Sequence, residues 1–439
     1  MSQLPAGPTG KLWTTMRIVR NPKSLFDDCV RRYGDPFLIH ALNGPVVITG
    51  RSELIDQVFR ADGQGFEVFA TGAMEPILGS GSLLMMDGPR HRRERKLMAP
   101  MFHGDRMKAY GATMQDATIE AMDRVNDGEM LKGTDLGAEI SLDVILRTVI
   151  GADQPDLLTD LRRLTSNVLK RSSPMLFFSQ KTHVSFLGIS PIDRLRTAQR
   201  QLREAIHTEL QRRGDSIGDR EDILSIMATT TYEDGQPIER EHLFDEIGTL
   251  LFAGHETTAV ALAWAMYHLH RHSDWLAKLR AELDQAPDDS ASTLASLPLL
   301  KATIQETLRL NPIVTEVLRK LKAPFALGEY QIPAGYAIAP AAVLAHYDPN
   351  NFSQPDAFRP DRFLNPKYTP SQYLPFGGGK RRCVGAAFSL YEMAIVLGTL
   401  VRRYEFSLCE TKPVVPRRRN VTMGPSTGVR LKYVGRRDV

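Results

Sequence analysis

The sequence predicts a large fold that is mainly α-helical with a small β part. The first observation is a long apolar run from about Phe244 to Leu269, which is hydrophobic on nearly every face. A helix that is apolar all round is buried, so this run is predicted to be a long central helix. The second observation is that seven further segments have the length and apolar spacing of helices, whereas only two stretches have the turns and strand-sized pieces typical of a sheet.

The β part is predicted at two places in the chain. Residues 37–50 are predicted to form a hairpin that turns at Asn43-Gly44, because this dipeptide favours the tight turns that join paired strands. Residues 323–340 contain turn residues at Gly328 and Gly335, and they are predicted to form the second β-rich piece. Residues 1–20 are predicted to be an extended N-terminal segment.

The helices are predicted at 89–99, 105–126, 139–150, 156–170, 193–213, 244–271, 299–310 and 385–404. Pro89 gives the first of them a start signal, since proline suits the first turn of a helix. The central helix would span roughly 40 Å at about 1.5 Å per residue, which is about the width of a domain of this size. Candidate ligands lie from His91 to Cys383 and no linker interrupts the sequence, so residues 1–439 are predicted to form one domain.

The composition is typical of a globular cytosolic protein. Of the 439 residues, 42% are hydrophobic and 24% are charged, with a formal net charge of +4. No run of Lys and Arg is interleaved with aromatic residues, so nucleic acid is not an expected partner. The three cysteines, Cys29, Cys383 and Cys409, show no paired spacing, which favours a reducing, cytoplasmic location. The N-terminus has no apolar core of signal-peptide length and no span of the ~20 apolar residues that a membrane anchor needs, so no anchor is expected.

Cys383 has the most informative surroundings of any residue in the chain. Three glycines, Gly377, Gly378 and Gly379, precede a cationic run and then this single sulfur. Glycine lets a backbone approach a bulky flat group, and neighbouring cations lower the pKa of a thiol and so favour the metal-binding thiolate. The helix predicted after it would place the thiolate at a helix N-terminus. A buried structural cysteine is the alternative, but it would need neither the glycines nor the cations. The pattern favours one iron with a cysteine ligand, as in some haem proteins.

The segment around Cys383 resembles the haem-binding loop of the cytochrome P-450 family, whose pattern is Phe-x-x-Gly-x-x-x-Cys-x-Gly. Phe376, Gly379, Cys383 and Gly385 fill the pattern, and Arg381 stands where the family usually has a basic residue. The resemblance implies the α-rich fold of that family, with a long buried helix over a haem b group and Cys383 as the ligand of its iron. It also implies that the other four residues contact the cofactor.

The central helix carries Ala253-Gly254-His255-Glu256-Thr257-Thr258, which is similar to the oxygen-binding segment of the same family. Glycine costs about 1 kcal/mol relative to alanine inside a helix, and buried acids and hydroxyls are costly unless they find partners. The resemblance implies that Gly254 opens room above the iron, and that Glu256 and Thr257 relay protons to the bound dioxygen. The alternative is that Thr257 bonds back to a carbonyl one turn earlier and only bends the helix. A zinc site of the type His-Glu-x-x-His is excluded, because its second His position is Ala259.

Glu306 and Arg309 lie three residues apart in a predicted helix, so an ordinary surface ion pair is the simplest interpretation of them. The P-450 family uses this spacing for a buried pair that is locked to a later Arg and supports the cysteine loop. The resemblance implies Arg362 as that third member, because it lies between the helix pair and Cys383 in the family's order.

Haem propionates are the expected ligands of four cationic side chains. His91 and Arg95 lie four residues apart on one face of the helix at 89–99. In bacterial members of the family such a pair binds the propionates, and the Arg guanidinium is a good bidentate partner for a carboxylate. The resemblance adds Arg319 and Arg381 as further propionate contacts.

A basic patch is the hypothesis for the remaining cations of these segments, which are Arg92, Arg93, Lys96, Lys380 and Arg382. A solvated cationic surface is the plainer interpretation. A patch on the thiolate side of the haem, however, would attract an acidic electron donor over a distance. The resemblance implies a separate donor of ferredoxin or flavodoxin type, since the chain carries no flavin or nicotinamide module.

The substrate pocket is expected to be apolar. Its predicted lining comprises Phe66, Phe69, Met74, Ile77, Leu78, Leu83, Leu84, Met85, Phe177, Ala253, Ile313, Val314 and Val317. The loop around Phe177 is interpreted as a mobile lid, and a loop packed on the core is the alternative. No cation or acid is evident in this lining, which indicates a neutral apolar substrate of terpenoid, fatty-acyl or steroid-like class.

The resemblance implies a monomeric haem-thiolate monooxygenase that inserts one atom of dioxygen into a C–H bond of a hydrophobic small molecule. Two alternatives stay open. The same fold could catalyse desaturation, carbon coupling, isomerisation or a peroxide-driven oxidation, but peroxide users of the family tend to replace the Glu256-Thr257 pair. The other alternative is a haem-based gas sensor or ligand carrier; a sensor would need an output segment, and the sequence shows none.

Overall fold

The computed structural model describes residues 4–61, 63, 65–172, 176, 183–365 and 367–438. Most of the chain is helical, as predicted. The α-helices of the described residues are α1 (Lys11–Arg20), α2 (Pro22–Tyr33), α3 (Ser52–Ala61), α4 (Thr71–Leu78), α5 (Gly88–Met98), α6 (Asp105–Met122), α7 (Gly133–Ile145), α8 (Pro155–Arg171), α9 (Pro191–Arg213), α10 (Ile223–Thr229), α11 (Arg240–Arg271), α12 (Ser273–Asp284), α13 (Ala291–Ser296), α14 (Pro298–Leu310), α15 (Ala342–Ala345) and α16 (Ala386–Arg403). A π-helical stretch, Leu146–Ile150, follows α7 directly.

The strands form small sheets and ribbons. They are β1 (Phe37–Ala41), β2 (Gly44–Thr49), β3 (Phe66–Glu67), β4 (Met130–Lys132), β5 (Arg319–Leu321), β6 (Phe325–Leu327), β7 (Tyr330–Ile332), β8 (Ala337–Pro340), β9 (Tyr404–Leu408), β10 (Pro416–Arg419), β11 (Thr422–Pro425) and β12 (Arg430–Arg436). A five-stranded sheet has the order β1-β2-β8-β5-β3, in which only β2 and β8 pair in parallel. A three-stranded sheet has the order β4-β12-β9, and β6–β7 and β10–β11 are two-stranded hairpins.

Both predicted β pieces are confirmed, with a correction to one turn. Residues 37–50 form β1 and β2, and Ala41 pairs with Gly44. The two turn residues are therefore Leu42 and Asn43 rather than Asn43-Gly44. Gly44 instead opens β2 with a φ of 123°, a backbone conformation that glycine adopts without a steric penalty.

The prediction of an extended segment at 1–20 is wrong for its second half, because Lys11–Arg20 form α1. The usual start signals are missing: Gly10 supplies no side-chain cap, and the first turn contains no acid. Tertiary contacts hold this helix instead. Thr14 is buried, and Ile18 packs on the apolar cluster shared by α2 and the β1–β2 hairpin.

Other helices were not predicted from the sequence; they are α2, α3, α4, α10, α12, α13 and α15. They run from 4 to 12 residues, and such short elements offer few turns in which apolar spacing can be recognised. The eight predicted helices are all present, although α7 begins at Gly133 rather than at 139 and α11 begins at Arg240 rather than at 244.

The central helix α11 crosses the core, as predicted. Every residue from Thr258 to Leu269 is buried, and Trp264 donates its Nε1–H to the carbonyl of Met423 at 3.2 Å. α7 packs closely along it: a Cβ on Gly137 would lie 2.8 Å from the carbonyl oxygen of Ala259. In the part of the chain that the structure describes, no helix combines the length and the apolar character required to cross a membrane.

Candidate active site

The loop from Phe376 to Gly385 leads into α16 and is closed by its own backbone. The Cys383 N–H donates to the carbonyl of Phe376 at 3.0 Å. Gly377 and Gly379 have φ of 65° and 66°, the left-handed region that glycine alone adopts at little cost. A Cβ on Gly378 would lie 2.1 Å from the ring of Phe59. All three glycines are thus required by the local geometry, and Gly385 has open space beside its Cα.

The electrostatics of Cys383 correct one prediction. Burial raises the pKa of the thiol above its usual value, and the N–H of Gly385 and the charges of Arg95 and Arg382 only partly offset this. The neighbouring cations therefore do not give a free thiolate, because desolvation is the larger effect. The residue is nonetheless exposed. A thiol that lies deep in the protein and faces an internal space would show both a raised pKa and exposure. At such a position a metal ion could take the place of the thiol proton.

A half-buried stretch of α11 borders the same interior region. Residues 252–257 are partly accessible, although the residues on either side of them, Leu251 and Thr258, are buried. α11 and α16 meet where the hydroxyls of Thr258 and Ser389 lie 3.3 Å apart. Ser389 is one helical turn beyond Gly385, so this contact brings the accessible part of α11 next to the cysteine loop.

Thr257 and Glu256 have different partners in this stretch. The hydroxyl of Thr257 donates to the carbonyl of Ala253 at 2.7 Å, which is the back-bonded arrangement considered as the alternative. The carboxylate of Glu256 accepts hydrogen bonds from Asn420 Nδ2 at 3.1 Å and from Thr422 Oγ1 at 2.9 Å. The turn of the β10–β11 hairpin thus fixes this carboxylate.

Sequence reasoning missed Asn420 and Thr422, which lie more than 160 residues from Glu256. The only local sign is that Asn420 occupies a tight turn, with a φ of 47°. Such a turn reveals nothing about a partner on a distant helix.

Gly254 lies where α7 packs closely on α11. A Cβ at this position would lie 2.5 Å from Cδ1 of Ile145, at the end of α7. The carbonyl of Gly254 also accepts a long hydrogen bond from Ser141, at 3.5 Å. Close packing of α7 on α11 therefore gives a reason of its own for the missing side chain, and the role of Gly254 above an iron stays a prediction.

Glu306, Arg309 and Arg362 form the predicted buried cluster. Glu306 and Arg309 are fully buried, and the carboxylate accepts from Arg309 Nε at 2.7 Å and Nη2 at 2.9 Å. Arg362 Nε donates to Glu306 Oε1 at 3.2 Å, and the backbone N–H of Arg359 donates to the same oxygen at 2.8 Å. Arg309 is further held by the carbonyls of His346, Pro355 and Ala357.

His346 connects this cluster to the cysteine loop and was missed by sequence reasoning. Its Nδ1 lies 3.1 Å from the carbonyl of Arg309, and its Nε2 accepts from the N–H of Leu374 at 2.9 Å. Burial lowers the pKa of this imidazole to about 3, so the ring is neutral with its proton on Nδ1. The carbonyl of Leu374 in turn accepts from the N–H of Gly377, the first glycine of the loop.

Four cationic side chains near the cysteine loop are those predicted to bind the carboxylates of a cofactor. Arg319 is buried, and its Nη2 donates to the carbonyl of Gly378 at 3.3 Å. Arg381 donates to the carbonyl of Met86. Arg95 is close enough to affect the pKa of Cys383, and His91 is buried on the same helix. A thiol, an open space beside it and these cations fit a group that carries a metal and carboxylates.

Part of the predicted pocket lining gathers beside α11. Met74, Ile77, Leu78 and Met85 pack in one apolar cluster with Phe252, the residue before Ala253. Val317 lies against the cysteine loop, where its Cγ1 would be 3.2 Å from a Cβ on Gly377. A narrow cleft between α4, α8, α9 and α11 has a lining that includes Ile77, Leu78 and Phe252, and none of its lining residues belongs to the cysteine loop.

Other predicted lining residues are placed differently. Phe66 pairs with the ring of Phe325 at 5.4 Å in the core of the five-stranded sheet, and Phe69 packs on the apolar cluster shared by α2 and the β1–β2 hairpin, so their part in a pocket lining stays a prediction. Leu83 and Ile313 are buried in the main core, while Leu84 and Val314 remain exposed. Phe177 lies outside the described residues, as does much of the predicted lid.

The predicted basic patch is smaller than expected. Arg93 pairs with Asp234 at 2.9 Å, and Lys96 pairs with Glu233, which removes two of its five cations. Arg92, Lys380 and Arg382 remain exposed.

Comparisons with known proteins agree on one family. The family model for cytochrome P-450 matches residues 5–431. Cytochrome P-450 138 of Mycobacterium bovis is 35% identical over 438 residues, covering 98% of this chain and 96% of the relative. Cytochrome P-450 135B1 of Mycobacterium tuberculosis is 34% identical over 445 residues, covering 99% and 92%.

Two solved structures share the fold. The cyanobacterial protein CYP120A1, solved with retinoic acid bound, aligns with a TM-score of 0.85 at 22% identity, covering 98% of this chain and 99% of that one. The haem domain of cytochrome P-450DA aligns with a TM-score of 0.86 at 21% identity, covering 99% and 98%. At such low sequence identity, the similarity to these two structures establishes the fold alone.

Proposed function

The chain belongs to the cytochrome P-450 family, a family of haem-iron monooxygenases that use dioxygen and a redox partner, and from this premise we propose its specific reaction. It inserts one atom of dioxygen into a C–H bond of a hydrophobic small molecule of terpenoid, fatty-acyl or steroid-like class. The observation that carries this proposal is the cysteine loop lying beside the accessible stretch of α11 that holds Glu256 and Thr257.

The residues that would hold a haem b group are Cys383 for the iron and His91, Arg95, Arg319 and Arg381 for its carboxylates. When bound, the haem supplies the activation of dioxygen. The glycines of the loop support this assignment, because Gly377 and Gly379 adopt the left-handed conformation that the turns before the thiol require. The Glu306–Arg309 pair and His346 act behind the loop as positioning residues.

Proton transfer is the role proposed for Thr257 and Glu256. The Thr257 hydroxyl donates a hydrogen bond to the Ala253 carbonyl at rest. Rotation about the Cβ–Oγ1 bond would point this hydroxyl proton toward the interior space. Glu256 is oriented by Asn420 and Thr422. In this proposal its carboxylate takes up a proton from solvent and then passes that proton to the threonine hydroxyl. Positioned proton transfer of this kind contributes roughly 10²–10⁴-fold in rate.

An apolar substrate is supported by the lining that gathers beside α11. Two methionines, Met74 and Met85, lie with Ile77, Leu78 and Phe252, and methionine adapts its shape to irregular apolar ligands. Electrons would come from a ferredoxin- or flavodoxin-type donor attracted by Arg92, Lys380 and Arg382, and the protein would act as a cytoplasmic monomer.

Two measurements test the reaction. The haem-loaded protein is first screened against terpenoids, fatty acids and steroids for a Soret shift. Ligands that shift the band are then incubated with NADPH, a surrogate ferredoxin or flavodoxin system and ¹⁸O₂. The expected product gains one labelled oxygen atom. A product that loses two hydrogens or joins two rings without label would establish desaturation or coupling instead.

The iron ligand is tested separately. The reduced carbon monoxide complex of the parent is expected to absorb where a thiolate-ligated haem does, and a Cys383→His variant is expected to absorb where a histidine-ligated haem does. Identical spectra for the two proteins would refute the assignment of Cys383.

A further inference from the structure

An apolar stripe lies on the outer side of α1. Leu12, Trp13, Met16 and Val19 are 69%, 46%, 65% and 37% exposed. Leu12, Met16 and Val19 follow the spacing of one helix face. Thr14 faces inward and is fully buried, so this helix is packed on one side and presents apolar side chains on the other.

Two neighbouring segments extend this surface. The N–H of Leu42, in the β1–β2 turn, donates to Thr15 Oγ1 at 3.2 Å, and Leu42 is itself exposed. Arg418 of β10 donates to the carbonyl of Ile18 at 3.4 Å, which places the β10–β11 hairpin beside α1. Val415, just before β10, is also exposed.

The surroundings of the stripe are cationic. The sequence has no Asp or Glu between residues 1 and 26 or between 411 and 437. Lys11 and Arg20 are exposed at the two ends of α1. Arg418 points inward toward Glu316, so strand alternation directs Arg417 and Arg419 outward, and both are exposed. The α1 face is the surface formed by Leu12, Trp13, Met16, Val19, Leu42 and Val415 together with Lys11, Arg20, Arg417 and Arg419.

We propose that the α1 face binds the surface of an anionic lipid bilayer, with α1 lying parallel to the membrane plane. Helices that rest in the interface combine exposed apolar residues, often with tryptophan, and flanking Lys and Arg. Anionic headgroups match the cations of this face, which has no acid of its own to repel them. A second copy of the chain is a poorer occupant, because a symmetric contact would bring the cations of both copies together.

This proposal concerns peripheral attachment and does not depend on the chemistry at Cys383. Where the proposed function also holds, attachment would bring the protein to the phase in which apolar substrates dissolve. If the attachment proposal failed, the proposed reaction would still stand, and the reverse is also true. The two are independent because vesicle binding needs no substrate, donor or turnover.

The test is co-sedimentation of the full haem-loaded chain with vesicles. Binding is expected with phosphatidylglycerol in phosphatidylcholine, is expected to fall with added salt, and is expected to be weak with phosphatidylcholine alone. The double variant Arg417→Gln/Arg419→Gln should lower the partition coefficient roughly 25-fold, since each cation near an anionic surface contributes a factor of roughly five. Met16→Glu should abolish binding. Met130→Glu, a change at a similarly exposed methionine of β4, is the matched control and should bind like the parent.

The Soret band and circular dichroism establish that each variant is folded. Binding that is equal for the parent, the arginine variant and Met16→Glu would overturn the proposal. Binding that ignores lipid charge would also overturn it. A dimer in solution that Met16→Glu disrupts, without any vesicle binding by the parent, would identify a second copy as the occupant and reject the bilayer.

Discussion

Replacing Glu306 with glutamine tests whether the buried ion-pair cluster supports the cysteine loop. The change keeps the size of the side chain and removes one charge. In the structure this carboxylate accepts four hydrogen bonds: two from Arg309, one from Arg362 and one from the backbone N–H of Arg359. One amide oxygen can replace only one of the two carboxylate oxygens, and the amide NH₂ group would face donors at the other position.

The magnitude follows from burial. Glu306 and Arg309 are both fully buried, so the guanidinium of Arg309 would be left as an uncompensated charge. Breaking a buried pair in this way costs about 3–5 kcal/mol. That is a large part of the 5–15 kcal/mol by which a typical protein is stable. Glu306→Ala and Arg309→Ala remove more contacts, and we expect them to give haem-free or insoluble protein.

The assay is urea unfolding of the haem-loaded protein, followed by circular dichroism and by the Soret band, together with the haem content after purification. The matched control is Glu139→Gln. Glu139 pairs with Arg124 at the surface with both side chains about half exposed, so we expect a change below about 1 kcal/mol. A soluble, haem-replete Glu306→Gln protein whose unfolding free energy lies within about 1 kcal/mol of the parent would refute the reasoning.

Three further predictions concern the central helix and its neighbours. Gly254→Ala should cost up to about 2 kcal/mol net in thermal unfolding, because its Cβ would meet the end of the Ile145 side chain while the helix gains about 1 kcal/mol from alanine. The added change Ile145→Val should recover part of the overpacking cost; no recovery would mean that another contact explains the glycine. Thr257→Ala should keep haem but lower product formed per NADPH by about 10²-fold or more, and unchanged coupling would remove the proton role. Burial raises the pKa of Glu392 to about 8, so the folded state holds a proton that the unfolded chain releases near pH 4.5. Parent stability should therefore fall as the pH rises from about 4.5 to about 8 and should level off above that. Glu392→Gln should flatten this profile and gain up to about 5 kcal/mol at the alkaline end; parallel urea-unfolding profiles for the two proteins would contradict it.

The fold was predictable where a pattern extends over many consecutive residues. The all-apolar run of α11 and the β1–β2 hairpin are confirmed. Both were predictable because burial on every face and a tight two-residue turn produce recognisable patterns in consecutive residues. α1 was not predictable, since it lacks caps and depends on Thr14 and Ile18 packing against residues of other elements. The extent of the chain as one domain stays a prediction.

The site was predictable in its motifs and less so in its energetics. Glu306, Arg309 and Arg362 come together as expected, because their spacing and order are fixed in the sequence. The pKa of Cys383 was predicted to be lowered and is raised instead, because the cost of desolvation depends on how many protein atoms surround the thiol.

The sequence by itself determined the loop that presents one sulfur after three glycines, the long apolar helix and the family to which the chain belongs. All of these are encoded by residues close together in the chain. The tertiary structure alone decided which distant groups meet: Asn420 and Thr422 on Glu256, His346 behind the cysteine loop, and Ile145 against Gly254. Such contacts arise from how the elements pack, and packing depends on the shapes of all the surfaces at once rather than on any local pattern.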